Sequence, residues 1–402
     1  MKSSFIYKVF CGVAFASLLF VVSCSKDKNV SVVFYNLDSH VVEGIKSVID
    51  SHYADQKLNF TYIQFSDDNL ESQLKSSKID LFFAPDGYGA KTIVKSANEK
   101  AGIPSSVLGN VTTSIQRKAI VCENLVKAVP VLSDNIEVDV EIPAFQESKI
   151  KGIGSLKDIQ KFGEQQKKFV DYPIVFAGDE PVFFFDFLGA LCEACDGQKY
   201  YEEAVRILEE AAASEKKFNA KEVAEQLTEK NSSPMLKTKD FLRQLYNKKL
   251  FSNEVFNYKI HDVQAFSAAR SSKILFMSFT DHRNFDQNVI SRYESSFIPS
   301  LTPKNVRFFS SSTLYAIPVT SNPNVSKIAQ DFVSVDFQES LCRSTGLAPV
   351  LRNCRTTDVQ ASDVRFWIAS SSTPNAGLGH ETSLTKEQLR QIKNELKANI
   401  IY

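Results

Sequence analysis

From Val30 onward the chain alternates strand patterns with helical ones, and that alternation restricts its fold more than any other feature. Val30-Ser31-Val32-Val33-Phe34-Tyr35 is a β-rich run, and Val41, Ile45, Val48 and Ile49 then recur at helical spacing through Tyr53. Leu58 to Phe65 alternates as a strand, Leu70 to Ser77 reads as a short helix, and Ile79-Asp80-Leu81-Phe82-Phe83-Ala84 is an apolar strand stopped by Pro85-Asp86-Gly87. Strands separated by helices pair in parallel, and the helices cover both sheet faces. Ligands of such sheets meet the loops at the strands' carboxyl ends. Those loops here hold Asn36-Leu37-Asp38 and Pro85-Asp86-Gly87-Tyr88.

A second α/β region follows. Ser155 caps a helix carrying Leu156, Ile159 and Phe162, and Tyr172 to Ala177 is a strand ending in Gly178-Asp179-Glu180-Pro181. Amphipathic helices cover Tyr200–Ala213, Ala220–Thr228 and Thr238–Lys248. Lys273 to Phe279 is a strand delivering Thr280-Asp281-His282-Arg283, and Leu314 to Val319 is a later strand before a helix from Val325 to Val335. With 402 residues, 43% of them hydrophobic and 31 of them Phe, the chain buries a sizeable core and suits one large two-lobed unit. Its 47 Lys+Arg balance 47 Asp+Glu, which argues against nucleic-acid binding.

The amino end carries an address. Lys2 and Lys8 flank the start of an apolar run from Val9 to Val22, which is too short to span a bilayer as a permanent helix and ends in Val21-Val22-Ser23-Cys24. That end resembles the lipobox of bacterial lipoproteins, which implies removal of residues 1–23, acylation of Cys24 and a lipidated tether over 24–29. The protein is therefore expected outside the cytoplasm, lipid-anchored to a bacterial membrane, with the periplasmic side favoured.

Five cysteines remain in the mature chain, an odd number that leaves at least one unpaired within it. Cys192-Glu193-Ala194-Cys195 has the spacing of a redox motif or half a zinc site, but it follows an apolar helical run and lacks a second CxxC, so small buried cysteines are the better reading. A Cys342–Cys354 bridge is open in an oxidising compartment.

The order of these segments resembles the extracellular solute-binding proteins of ATP-driven importers, in particular the carbohydrate-binding group that includes maltose-binding protein. Val33 to Asp38 looks like the first strand and ligand loop, and Leu81 to Gly89 like the strand and loop that carry an aromatic and an aspartate. Tyr172 to Gly189 looks like the far lobe's binding loop. Asp262 to Phe266 with Lys273 to Met277 resembles the helix and strand before a binding tryptophan, and Gln338 to Val350 a late crossover. Each motif is short, and their sequential order carries the likeness, which runs from about Val30 to Leu396.

The resemblance implies a periplasmic-binding-protein fold: two α/β lobes, each a mostly parallel sheet flanked by helices, closing over a ligand. Lobe 1 is expected at 30–119 with 313–347, and lobe 2 at 120–312 with 348–402. Crossings are expected near Arg117 to Cys122, Phe308 to Thr313 and Leu347 to Arg352. Ligand contacts carried over by position are Asp38, Phe83, Asp86, Glu123, Glu180 and Trp367, with Phe183 and Asp281 beside them. Carboxylates accept hydrogen bonds from sugar hydroxyls, and a flat ring covers a pyranose face. The chain departs from the family pattern at Gly87, where an arginine is common, at Val182, where an aromatic is common, and at Asp281-His282-Arg283, where a tryptophan is usual.

The expected function is a receptor that binds a small solute, with a carbohydrate favoured, and passes it to an ABC permease as a monomer, with no cofactor, metal or catalytic step. Two other functions fit the same residues: a cage of acids and rings for a polyamine or other cationic solute, or a surface lipoprotein using the fold to bind protein. No nucleophile or metalloprotease motif is present, which weighs against an enzyme.

Overall fold

The first strand, β1 (Asn29–Tyr35), buries Val30, Val32 and Phe34 on one face and Val33 on the other. A strand covered on both sides belongs inside a sheet, and β1 pairs in parallel with β2 (Asn59–Phe65) and β3 (Leu81–Pro85). Helix α1 (Ser39–Tyr53) crosses between β1 and β2, its start fixed by the Asp38 carboxylate, which accepts the His40 N–H at 2.8 Å. The computed structural model describes residues 28–56, 58–65, 70–76, 78–214, 217–301, 312–370 and 374–402. The expected signal segment and the Cys24 acylation site lie outside the described residues. Among those described, no helix is long and apolar enough to cross a membrane.

The remaining strands are β4 (Ile103–Pro104), β5 (Val121–Cys122), β6 (Leu125–Val126), β7 (Val129–Ser133), β8 (Ile136–Glu141), β9 (Ile174–Phe176), β10 (Ile274–Ser278), β11 (Tyr293–Phe297), β12 (Thr313–Pro318) and β13 (Ala348–Pro349). They form a six-stranded sheet of order β13-β7-β12-β3-β1-β2, a four-stranded sheet of order β11-β8-β10-β9, and a small sheet of order β4-β6-β5. Each large sheet has its own core. Phe34, Phe83, Phe332 and Phe337 sit in the first, and Phe176, Phe184, Phe187 and Phe276 in the second. The chain has the two-lobed α/β fold expected of it.

The sheets are mixed, however, where mostly parallel ones were expected. In the first, β12 runs antiparallel to β3, and β7 antiparallel to β12. In the second, β8 runs antiparallel to both β10 and β11. These strands flank the crossings, so they enter each sheet from the hinge end, opposite to strands fed by crossover helices.

Two crossings also lie elsewhere than expected. β7 ends in the first sheet at Ser133 and β8 starts in the second at Ile136, so the first crossing is Asp134–Asn135. The expected stretch, Arg117 to Cys122, stays on lobe 1, where β5 joins β6 and β4. The second crossing runs from β11 to β12, and Phe308 to Ser311 lie outside the described residues. The third follows helix Val359–Ser370, whose Ala361, Val364 and Ile368 pack into the lobe 1 core. Residues 348–370 thus belong with lobe 1, and the chain passes to lobe 2 only before helices Leu378–Glu381 and Lys386–Ile401, which pack on helix Pro181–Cys195. The strands around Leu347 to Arg352 are too short to leave the first sheet, since β13 pairs with β7.

The five described cysteines carry free thiols. Cys192 and Cys195 are buried on helix Pro181–Cys195, and burial pushes both thiols up, which makes them inert packing residues.

Candidate functional site: the interlobe cleft

The lobes enclose a cleft of about 450 Å³ between the carboxyl end of β1, the first crossing and the start of helix Pro181–Cys195. A second chamber of about 590 Å³ opens from it past Asn36, Pro85, Val182 and His380, toward Tyr35, Asp86 and Tyr88.

On lobe 1, β1 ends at Asn36, whose φ of 50° is a left-handed conformation that asparagine tolerates. Its N–H donates to Phe65 O at 3.1 Å, while its side-chain Oδ1 is buried and receives no hydrogen bond from any described residue. At the first crossing Asp134 clamps the hinge: it accepts the Thr280 hydroxyl at 2.6 Å and the Thr280 N–H at 3.1 Å, and its own N–H donates to Ser312 O at 2.8 Å. Two crossings and the end of β10 are thereby tied at one point. Beside it, Asn135 Oδ1 is a second buried acceptor without a donor among the described residues. Buried acceptors are normally paired, and two on one cleft wall that no described residue serves can take hydroxyl or amine donors of a bound solute.

On lobe 2, Phe183 lies in the first turn of helix Pro181–Cys195 with its ring stacked on Phe187 at 6.4 Å and 5°. Asp281 accepts the Ser278 hydroxyl at 2.8 Å, and burial pushes its carboxyl up to about 6. Asp186 holds the Leu378–Glu381 turn in place: one oxygen accepts the Gly379 N–H at 2.8 Å, and the other meets His380 Nδ1 at 2.6 Å. Burial alone would lower the His380 pKa, but the attraction of Asp186, with Asp134 and Asp86 adding, raises it overall. Lys386 stands 3.7 Å from Glu180. Lys91 of lobe 1 bonds Glu381 of lobe 2 at 2.7 Å, closing the outer edge.

The structure brings Asp38, Glu180, Phe183 and Asp281 together in the cleft, and Asp86 lines the adjoining chamber. Three expected contacts line neither. Phe83 is fully buried, stacked on Phe34 at 5.2 Å and edge-on to Phe332, because strand alternation turns it into the lobe 1 core. Glu123 sits at the exposed tip of the β5–β6 turn with a φ of 47°. Trp367 is on the lobe 1 side, packed edge-on against Phe297 at 5.8 Å. Sequence reasoning placed Asn36 and Thr280 at strand ends without reading them as contacts, and missed Asp134, Asp186 and His380. An Asp-Asn pair between two apolar strands, and an acid inside Phe183-Phe184-Phe185-Asp186-Phe187, were signals for two of them. Nothing local marks His380.

No family model matches the chain, and no curated protein matches its sequence. Its fold does match solved structures of two-lobed solute-binding proteins. One is the bacterial solute receptor AcbH, described as having an exclusive substrate preference for β-D-galactopyranose, with a TM-score of 0.67 and 10% identity over 92% of this chain and 96% of that one. Another is maltose-bound MalE3 of T. maritima, at TM-score 0.59 and 12% identity, covering 92% and 99%. A third is the cyclic α-maltosyl-1,6-maltose binding protein of Arthrobacter globiformis, at TM-score 0.57 and 12% identity, covering 92% and 98%. The chain thus has a two-lobed periplasmic-binding-protein fold.

Proposed function

We propose that this protein is an extracytoplasmic receptor, anchored by lipid at Cys24, that takes up a small carbohydrate in the interlobe cleft and delivers it to an ABC permease. The observation that carries this reading is the pair of acceptors, Asn36 Oδ1 and Asn135 Oδ1, that no described residue serves, in a cleft that also offers the Phe183 ring. Sugar hydroxyls supply donors to such acceptors, and the ring covers the apolar face of a pyranose. The neighbouring solved structures that bind galactose or maltose lend the reading support. Affinity comes from contacts made to both lobes at once, so ligand and closure are linked.

The cleft carries five carboxylates, Asp38, Asp134, Glu180, Asp186 and Asp281, against Lys386 and His380. That excess favours a polyamine or other cationic solute as the second reading. A thermal-shift screen of the full chain against monosaccharides, oligosaccharides and polyamines separates the two. Carbohydrates that raise Tm in wild type but not in Phe183→Ala support the first; shifts by polyamines alone reject it in favour of the second.

A further inference from the structure

Strand β8 carries an acid at every second position, Glu137, Asp139 and Glu141, and all three are buried. Val138 and Val140 face the lobe 2 core, as the alternation of a strand requires, yet the opposite, acidic face is dry as well. A buried carboxylate is costly unless a positive charge and hydrogen bonds compensate it. Glu141 has such a partner in Lys273. Glu137 and Asp139 share one, His282 of helix Phe279–Arg283, whose Nδ1 lies 2.7 Å from Glu137 Oε1 and 3.6 Å from Asp139 Oδ1. Arg283 is turned away, to Gly346 O at 2.9 Å and Asp358 at 2.6 Å.

One further observation points to a ligand. Asp139 is fully buried within this cluster, and while its Oδ1 accepts the Ser295 hydroxyl, its Oδ2 receives no hydrogen bond from any described residue. Gln360 Nε2, from the helix Val359–Ser370 of lobe 1, lies 2.9 and 3.1 Å from the two Glu137 oxygens, 3.0 Å from His282 Nδ1 and 2.9 Å from Ser295 Oγ. One amide hydrogen reaches the Glu137 carboxylate and the other Ser295 Oγ, so Asp139 Oδ2 is the carboxylate oxygen of this cluster that no described residue serves. Ligand atoms of Glu137, Asp139 and His282 lie within 4.8 Å of one another.

We propose that Glu137, Asp139 and His282 form a binding site for a divalent transition cation, with Zn²⁺ the favoured ion, behind the cleft. One imidazole with two carboxylates suits Zn²⁺ better than Ca²⁺ or Mg²⁺, which take oxygen ligands. A surface groove of about 330 Å³ bordered by Glu294, Asp358 and Asp363 reaches His282 and gives an acidic entry path. The cation joins β8, which begins just past the first crossing, to the helix that presents Thr280 and Asp281 to the cleft. It therefore fixes part of the cleft wall without touching the solute.

The test is calorimetric titration of chelator-treated full-length protein with ZnCl₂, and separately with CaCl₂ and MgCl₂, with Tm recorded alongside. The expected result is one Zn²⁺ per chain and a Tm raised by about 5 °C at a hundredfold excess over Kd. Asp139→Asn with His282→Gln should weaken Zn²⁺ binding by about a hundredfold or more. Should that variant not fold, CoCl₂ titration of wild type decides: visible d–d bands of imidazole- and carboxylate-bound Co²⁺ support the site, and the spectrum of aqueous Co²⁺ alone overturns it. Substoichiometric Zn²⁺, wild-type affinity in the folded variant, or binding of Ca²⁺ or Mg²⁺ in place of Zn²⁺ also overturns it.

Discussion

Gly87 and His380 meet across the cleft: a Cβ built on Gly87 overlaps the His380 carbonyl oxygen, and Gly87 itself holds a φ of 119°. The departure from an arginine at this place has a physical reason, since the lobe 2 turn occupies the space a side chain would need. Gly87→Ala must strain the backbone or part the lobes, at about 1–3 kcal/mol. The expected outcome is a Tm lowered by several degrees and a larger radius of gyration in small-angle scattering. Wild-type values for both would show that the contact bears no load.

Two phenylalanines with similar expected roles are separated by the structure. Phe83→Ala empties a packed site between Phe34 and Phe332 and should cost about 3–5 kcal/mol of stability. Phe183, half-buried at the cleft, should cost far less on truncation and act on solute binding instead. Denaturant unfolding of both variants checks this, and equal losses would contradict the assignment.

That contrast shows what the sequence made legible. The strand–helix alternation marked the first sheet's parallel part, and the strand-end loops that hold Asp38 and Asp86 border the cleft and its adjoining chamber. Glu180 and Asp281 were likewise found at strand or loop ends. Phe83 was misplaced because strand alternation, rather than closeness to a loop, decides which way a ring points. Trp367 was misplaced because the third crossing falls after Ser370, where the Ser370-Ser371-Ser372-Thr373-Pro374-Asn375 run is a loop signal that went unread. Asp186 and His380 are far apart in the chain, so the 2.6 Å contact between them could not be read from either neighbourhood.

His380 makes stability depend on pH. Its folded pKa stands above the unfolded value of 6.5. Its contribution is therefore complete below pH 6.5 and is lost as pH rises through the higher folded value. Tm measured from pH 6 to 9 should fall more steeply in wild type than in His380→Gln. Parallel profiles would remove His380 as the cause.

Cys342 and Cys354 are buried together and hydrogen-bonded thiol to thiol. Incubation with oxidised glutathione should join them, with loss of two hydrogens from the chain and reduction of the glutathione disulfide. A loop of this length gains up to about 3 kcal/mol on closure. Peptide mapping under non-reducing conditions should show the Cys342–Cys354 cross-link, and Cys192 and Cys195 left as thiols. A cross-link between other cysteines, or none, would count against the pairing.

The most direct test is calorimetric titration of the best-binding carbohydrate into wild type, Asn36→Gly from one lobe, which keeps a residue suited to the left-handed backbone, and Phe183→Ala from the other. Loss of one neutral hydrogen bond or one ring contact is worth about 1–2 kcal/mol, or about five- to thirtyfold in Kd. The account predicts stoichiometric binding by wild type, weakened by that amount in each variant while Tm without sugar stays near wild type. Sugar binding unchanged in both variants, or no carbohydrate bound by wild type, would contradict it.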